Sequence, residues 1–220
     1  AASGLVPNQV VKNIAKFQVW KGLVLDVDTQ LPLEIIAPSI DDHKVECILR
    51  SRSPEGQLRP HAHAVLEFGE TYDTADATLE PYEADESLSS VRPYEDILFH
   101  GEGLHFIDSI LVSNSDRLVA AIHLHGEAGD WDGGQSQWFA QAPLLDAIFQ
   151  AAIVWSSLNR KSRCLPSKFK KAVFYQAWQP QRAILELRIN REAAGEHRLV
   201  ADGKVWTEAG ELIAAVDGFE

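Results

Sequence analysis

Apolar and polar residues alternate in short runs through the first third of the chain: VVKNIAKFQVW (10–20), LPLEIIAP (31–38), HKVECILRSR (43–52) and HAHAVLEFG (61–69), with Asp, Pro and Gly between them. A period of two places one face of each run on a core, so these predict strands, and no long helix stands among them. Residues 70–96, ETYDTADATLEPYEADESLSSVRPYED, are rich in Asp, Glu, Ser and Pro and lose the periodicity. That composition predicts an acidic linker over the surface. LHFIDSILVS (104–113) and RLVAAIHLHG (117–126) return to strand, and AGDWDGGQSQ (128–137) predicts a Gly-rich loop. The segment PLLDAIFQAAIVWSSLNR (143–160) starts on Pro, contains no Gly and is apolar nearly all round, the pattern of a buried helix beginning near Pro143. After it, FKKAVFYQAW, RAILELRIN, EHRLVADGKVWT and GELIAAVDGF alternate again, with hairpin turns at ADG and EAG.

The second half therefore reads as two strands, a central helix and several strands, and the first half as the same ending without its beginning. An antiparallel sheet wrapped round one helix is the economical layer solution, an α+β fold. The boundaries predicted are 1–70 for the remainder of a first unit, 71–96 for the linker and 97–220 for a second, complete unit.

Composition narrows the function classes. At 220 residues, 45% hydrophobic and 24% charged, the chain can bury a real core. Its formal net charge of -12, with no Lys/Arg run longer than the short cluster Arg160, Lys161, Arg163 and Lys168, Lys170, Lys171, argues against a nucleic-acid partner. No stretch approaches the roughly 18 to 20 apolar residues of a membrane span, and the first residues lack a basic and then apolar leader, which together read as a cytoplasmic protein without membrane contact. Cys47 and Cys164 lie far apart without CxxC spacing, so they predict buried small hydrophobes and neither a disulfide framework nor a zinc knuckle. The absence of methionine, even at position 1, reads as a fragment or processed piece.

Candidate chemistry centres on the helix. Asp146 and Gln150 are the only polar residues between Pro143 and Trp155, and at i and i+4 they share a face. A lone carboxyl on an apolar helix is either paired or kept protonated by desolvation, and a protonated carboxyl is a proton donor. The amide of Gln150 can hold that carboxyl or a leaving water. A purely structural reading, in which the pair bonds backbone inside the core, fits the periodicity equally well. A second constellation, His61, His63 and Glu67, has the HxHxxxE spacing that can present two imidazoles and a carboxylate to a metal in a cupin-like barrel. The later pair His123 and His125 lacks the Gly- and Pro-marked setting such a site needs, and residues at i and i+2 of a strand more often form a polar ladder. No metal site is assigned.

Several segments resemble the dehydratase domains of polyketide synthases and polyunsaturated fatty-acid synthases. PLLDAIFQAA is similar to the DxxxQ/H helix of that family, including the Pro three residues before the Asp. LFHG (98–101), following a Tyr, resembles the loop that opens the family's second half and lines the substrate tunnel. Leu165 and Pro166 resemble its Leu-Pro element facing the acyl chain, and FQVWKGLVLD resembles the strand that follows the first unit's helix. The resemblance spans nearly the whole chain. It implies a double hot-dog fold with the first unit truncated, and elimination of water from a β-hydroxyacyl thioester on acyl carrier protein beside neighbouring synthase domains. The implied roles are Asp146 as catalytic acid with Gln150 orienting it, and Phe99, His100, Gly101, Leu165 and Pro166 in contact with substrate. No metal or nucleotide cofactor is implied, and pairing of such units through their sheets implies a homodimer.

Two features depart from the family pattern. Gly101 is followed by Glu102, Gly103, Leu104, His105 and Phe106 where the family has Gly-Pro-x-Phe. The family's general base is a His in an HxxxGxxxxP motif of the first unit, and no His here has that setting: Val65, Glu67 and Leu104 stand four residues after His61, His63 and His100. The expectation is that this base lies upstream of residue 1 and that the chain alone is inactive. The alternative reading is a non-catalytic dehydratase-like domain that binds acyl chains or scaffolds a synthase. Trp131 and Trp138 are candidates to border a tunnel. The run from Arg160 to Lys171 reads as a solvated loop in preference to a docking patch for an acidic carrier protein.

Overall fold

A computed structural model describes residues 9–23, 31–41, 43–53, 55–124, 141–177, 181–195 and 198–220, with Ser39 and Ile40 described in backbone only. The alternating runs become strands β1 (Val10–Val19), β2 (Leu33–Ile40), β3 (Lys44–Arg52), β4 (Leu58–Gly69), β5 (Ile107–Ser113) and β6 (Arg117–Leu124). After helix α1 (Ala142–Arg160) come β7 (Lys168–Phe174), β8 (Gln181–Ile189), β9 (Ala201–Thr207) and β10 (Leu212–Phe219). All pair antiparallel in one sheet, in the order β2-β3-β4-β1-β7-β10-β9-β8-β6-β5.

Strand β1 joins the two halves. Its register with β4 runs from Val10 opposite Gly69 to Val19 opposite Ala62, and its other edge pairs with β7 from Asn13 opposite Val173 to Gln18 opposite Lys168. Phe17 and Phe169 stack across that seam at 4.7 Å between ring centroids. Strands β5 to β10 curve round α1, which packs on β5, β6, β8 and β9. The main core lies there: Leu118, Ile122, Ile148, Val154, Leu185, Val205 and Val216 are wholly buried. Strands β1 to β4 carry no helix of their own among the described residues, and the small cluster on that side holds only Val45 and Phe68 as buried members.

Helix α1 begins one residue before Pro143, which occupies its first turn, and ends where Lys161 turns left-handed at φ 53°. Several predicted boundaries shift. β5 starts at Ile107 because Glu102–Leu104 closes a 3-10 turn ahead of it, with the Leu104 amide on the Gly101 carbonyl. β4 starts as early as Leu58, paired with Arg52 across the turn at Gly56. Of the predicted strand segment that ends at Thr207, the described residues from Arg198 are regular strand only from Ala201. Within 70–96 the chain forms a 3-10 turn at Glu86–Ser90 and enters a π-turn at Pro93–Ile97, whose Pro93 and Ile97 are buried.

Candidate active site

The site grows from α1. Ala147, Ile148, Ala151 and Ala152 turn to the sheet and are buried, which holds the helix in the curve of β5 to β10. On another face Gln150 is completely buried, so its amide must find partners inside the protein. It finds three. Nε2 donates to the Leu104 carbonyl at 2.8 Å and to Asp146 Oδ2 at 2.7 Å, and Oε1 accepts from the Tyr94 hydroxyl at 2.6 Å. The same hydroxyl accepts from the Ile107 amide at 2.7 Å.

Asp146 keeps 34% of its side chain accessible, and its Oδ1 lies 3.9 Å from Nε2 of His100. Burial pushes the Asp146 carboxyl above the usual carboxylate range, against the opposing pull of the Gln150 amide and the His100 imidazole. Burial also drives the Tyr94 phenol up to about 12, so Tyr94 remains a neutral donor. His100 stands on the loop before the 3-10 turn, stacked on the exposed Phe99 at 4.8 Å. Its carbonyl faces Nε2 of His105 at 3.0 Å, and the His105 ring lies flat on Tyr94 at 3.8 Å. The arrangement offers a carboxyl with raised proton affinity, an imidazole beside it and an amide holding it from behind.

Of the residues singled out in the sequence, the fold brings Asp146, Gln150 and His100 together. Gly101 caps the 3-10 turn with φ -71°, ordinary for any residue. Leu165 is 71% exposed and with Pro166 lines a cavity of about 470 Å³ whose other walls include Ala152, Arg163, Cys164 and Phe219. Tyr94 was only the marker of the LFHG loop in the sequence and falls in the stretch read as linker. His105 had no signal at all, because its use depends on a stack that only the folded loop creates.

The metal constellation is dispersed. Nε2 of His61 bonds Ser51 at 2.8 Å and its Nδ1 faces the Lys21 carbonyl, whereas Nε2 of His63 meets Glu46 at 2.9 Å. Glu67 accepts from Asn13 and pairs with Lys44. Among the described residues no group of three His, Cys, Asp or Glu is placed to hold a metal. Trp131, Trp138 and His125 lie outside the described residues, and the His123 amide bonds the Phe106 carbonyl in the strand. In the basic run, Arg160 donates to the Gly195 and Arg198 carbonyls and Lys168 pairs with Glu220. Cys47 and Cys164 are half-buried free thiols, and no described helix is long and apolar enough to cross a membrane.

Comparison with solved structures agrees with this architecture. The dehydratase domain of RzxB from Pseudomonas fluorescens superposes with a TM-score of 0.69 at 18% identity, over 97% of this chain and 76% of that one. GphF dehydratase 1 gives 0.72 at 21%, over 99% and 78%, and the dehydratase domain from the CurK module of the curacin polyketide synthase 0.72 at 15%, over 100% and 79%. These likenesses establish the hot-dog fold. No curated protein sequence matches the chain. The sequence model of the family described as "polyketide synthase dehydratase N-terminal domain" matches residues 73–220, the stretch that supplies Tyr94, His100, Asp146 and Gln150. On that match, the chain belongs to the polyketide synthase dehydratase family.

Proposed function

We propose that the chain forms the acid half of a dehydratase site that eliminates water from a β-hydroxyacyl thioester carried on acyl carrier protein in a polyketide or polyunsaturated fatty-acid synthase. The observation that carries the reading is the Asp146 carboxyl, raised in proton affinity by burial, held by Gln150 and still one-third accessible beside His100. In the elimination a base removes the proton α to the thioester and that electron pair becomes the new double bond. The β-carbon to oxygen bond breaks, and Asp146 gives its proton to the departing oxygen, which leaves as water. Proton return from the base to the carboxylate through solvent completes the cycle. Opposed protonation states in one site suit this chemistry.

His100 and Phe99, on the loop beside the acid, are assigned to the substrate, with Gly101 giving the loop its backbone. Leu165 and Pro166 are assigned to the acyl chain. The base is assigned to an imidazole supplied from outside these residues, because no His of the chain stands in the HxxxGxxxxP setting of the family's base.

The test is dehydration of a carrier-linked β-hydroxyacyl thioester, followed by enoyl absorbance, with three proteins: this chain, a polypeptide extended at its N-terminus, and the extended Asp146→Asn variant. Turnover is expected from the extended wild type, falling by about 10²- to 10⁴-fold in the variant, and none from the 220 residues alone. Folded protein without turnover in all three would instead identify a non-catalytic domain that binds acyl chains.

A further inference from the structure

The Gln150 amide is completely buried, and its contacts leave it one orientation. A carbonyl oxygen cannot donate, so the atom 2.8 Å from the Leu104 carbonyl must be the nitrogen, and the oxygen must face Tyr94. The Tyr94 hydroxyl receives the Ile107 N–H on its lone pair and so has its own hydrogen free for Gln150 Oε1. One N–H of the amide is spent on Leu104. The other points at Asp146 Oδ2, which can therefore only accept. In the acid form of Asp146 the proton resides on Oδ1, the oxygen that faces His100 at 3.9 Å.

We infer that Tyr94 is a positioning residue: through Gln150 it fixes which oxygen of Asp146 carries the proton and aims that proton to the side of His100. A tyrosine that only stacked on His105 and accepted the Ile107 amide would leave the Asp146 titration unmoved. The role deepens the reading of Asp146 as an acid, yet it is tested without substrate.

The experiment is a carbon-13 carboxyl titration of the 220-residue chain by NMR, with the Asp146 signal assigned by its loss in Asp146→Asn. Gln150→Leu removes the donor to Oδ2 and moves the Asp146 midpoint upward, by about the tenfold in ionisation equilibrium that one hydrogen bond to a charged group corresponds to. Tyr94→Phe keeps the ring and frees the amide, and moves the midpoint in the same direction. In the double variant the midpoint equals that of Gln150→Leu, because the hydroxyl acts only through the amide. A Tyr94→Phe midpoint identical to wild type, or a Tyr94→Phe increment undiminished in the Gln150→Leu background, overturns the inference.

Should Tyr94→Phe fail to fold, the wild type decides. One Gln150 amide proton must follow the Asp146 titration and its geminal partner, held by Leu104, must not, and two indifferent protons overturn the inference. Because no substrate is involved, an intact coupling in a protein without dehydratase activity would count against the proposed function and leave this inference standing.

Discussion

Asp146 trades stability for proton affinity. Its carboxyl titrates higher in the fold than in the unfolded chain, so the unfolded state ionises first as pH rises. The stability it contributes is fully present below the ordinary aspartate range and is lost as pH climbs through the raised folded value. Asp146→Asn, which cannot ionise, should therefore be more stable than wild type at pH 8, with the difference closing towards pH 4. Denaturant melts at the two pH values read this directly, and an equal difference at both would contradict the buried-acid assignment. At this scale the sequence was informative about Asp146 and Gln150, because two polar residues on an apolar helix stand out. It was silent on Tyr94 and His105, whose partners are 56 and 11 positions away and meet them only after the loop folds against α1.

The element that sets the position of Asp146 is α1, and its closeness to the sheet depends on Gly203 in β9. A Cβ there would fall 2.6 Å from Cγ2 of Ile148, two residues from Asp146. Gly203→Ala should cost about 1–3 kcal/mol by overpacking, and Ile148→Ala in the same chain should recover part of it, a coupling that thermal melts of the four proteins would measure. Gly101→Ala meets nothing within 4 Å and has an ordinary backbone conformation, so it should leave the melting temperature unchanged.

Across β6 and β8, Glu186 is buried and accepts from Arg117 at 2.8 Å and Arg188 at 2.7 Å. Removing it takes the carboxylate from the half-buried Arg117 guanidinium, which keeps the Glu80 and Pro81 carbonyls as neutral acceptors. Glu186→Ala is expected to lose about 3 kcal/mol in a denaturant titration. Alternation made these strands legible in advance, because a sheet with one buried face imposes a period of two on its sequence. Their ends were less legible, since β5 is delayed by a 3-10 turn and β4 is advanced by pairing with Arg52.

For the whole molecule, the uneven distribution of core is the controlling fact. Strands β5 to β10 close on α1 with an extensive buried cluster, whereas β1 to β4 shelter Val45 and Phe68. Trp20, Leu23, Leu33, Ile35 and Leu58, all on β1 to β4 or their connections, remain exposed. Amides of β6, β8 and β9 should consequently exchange with deuterium more slowly than those of β2 and β3, where opening exposes little apolar surface. Uniform protection across the sheet would show that the β1–β7 seam transmits the stability of one half to the other.

By itself the sequence determined the α+β class, the strand periodicity, the buried helix and the candidacy of Asp146 and Gln150, because burial writes its pattern locally along a strand or helix. Its resemblance to one enzyme family also followed from contiguous motifs. Only the tertiary structure decided that the described strands form one sheet joined through β1 and β7, that His61, His63 and Glu67 go to separate partners, and that Tyr94 reaches Gln150. These are contacts between distant segments, set by sheet register and loop packing, and no local spacing encodes them.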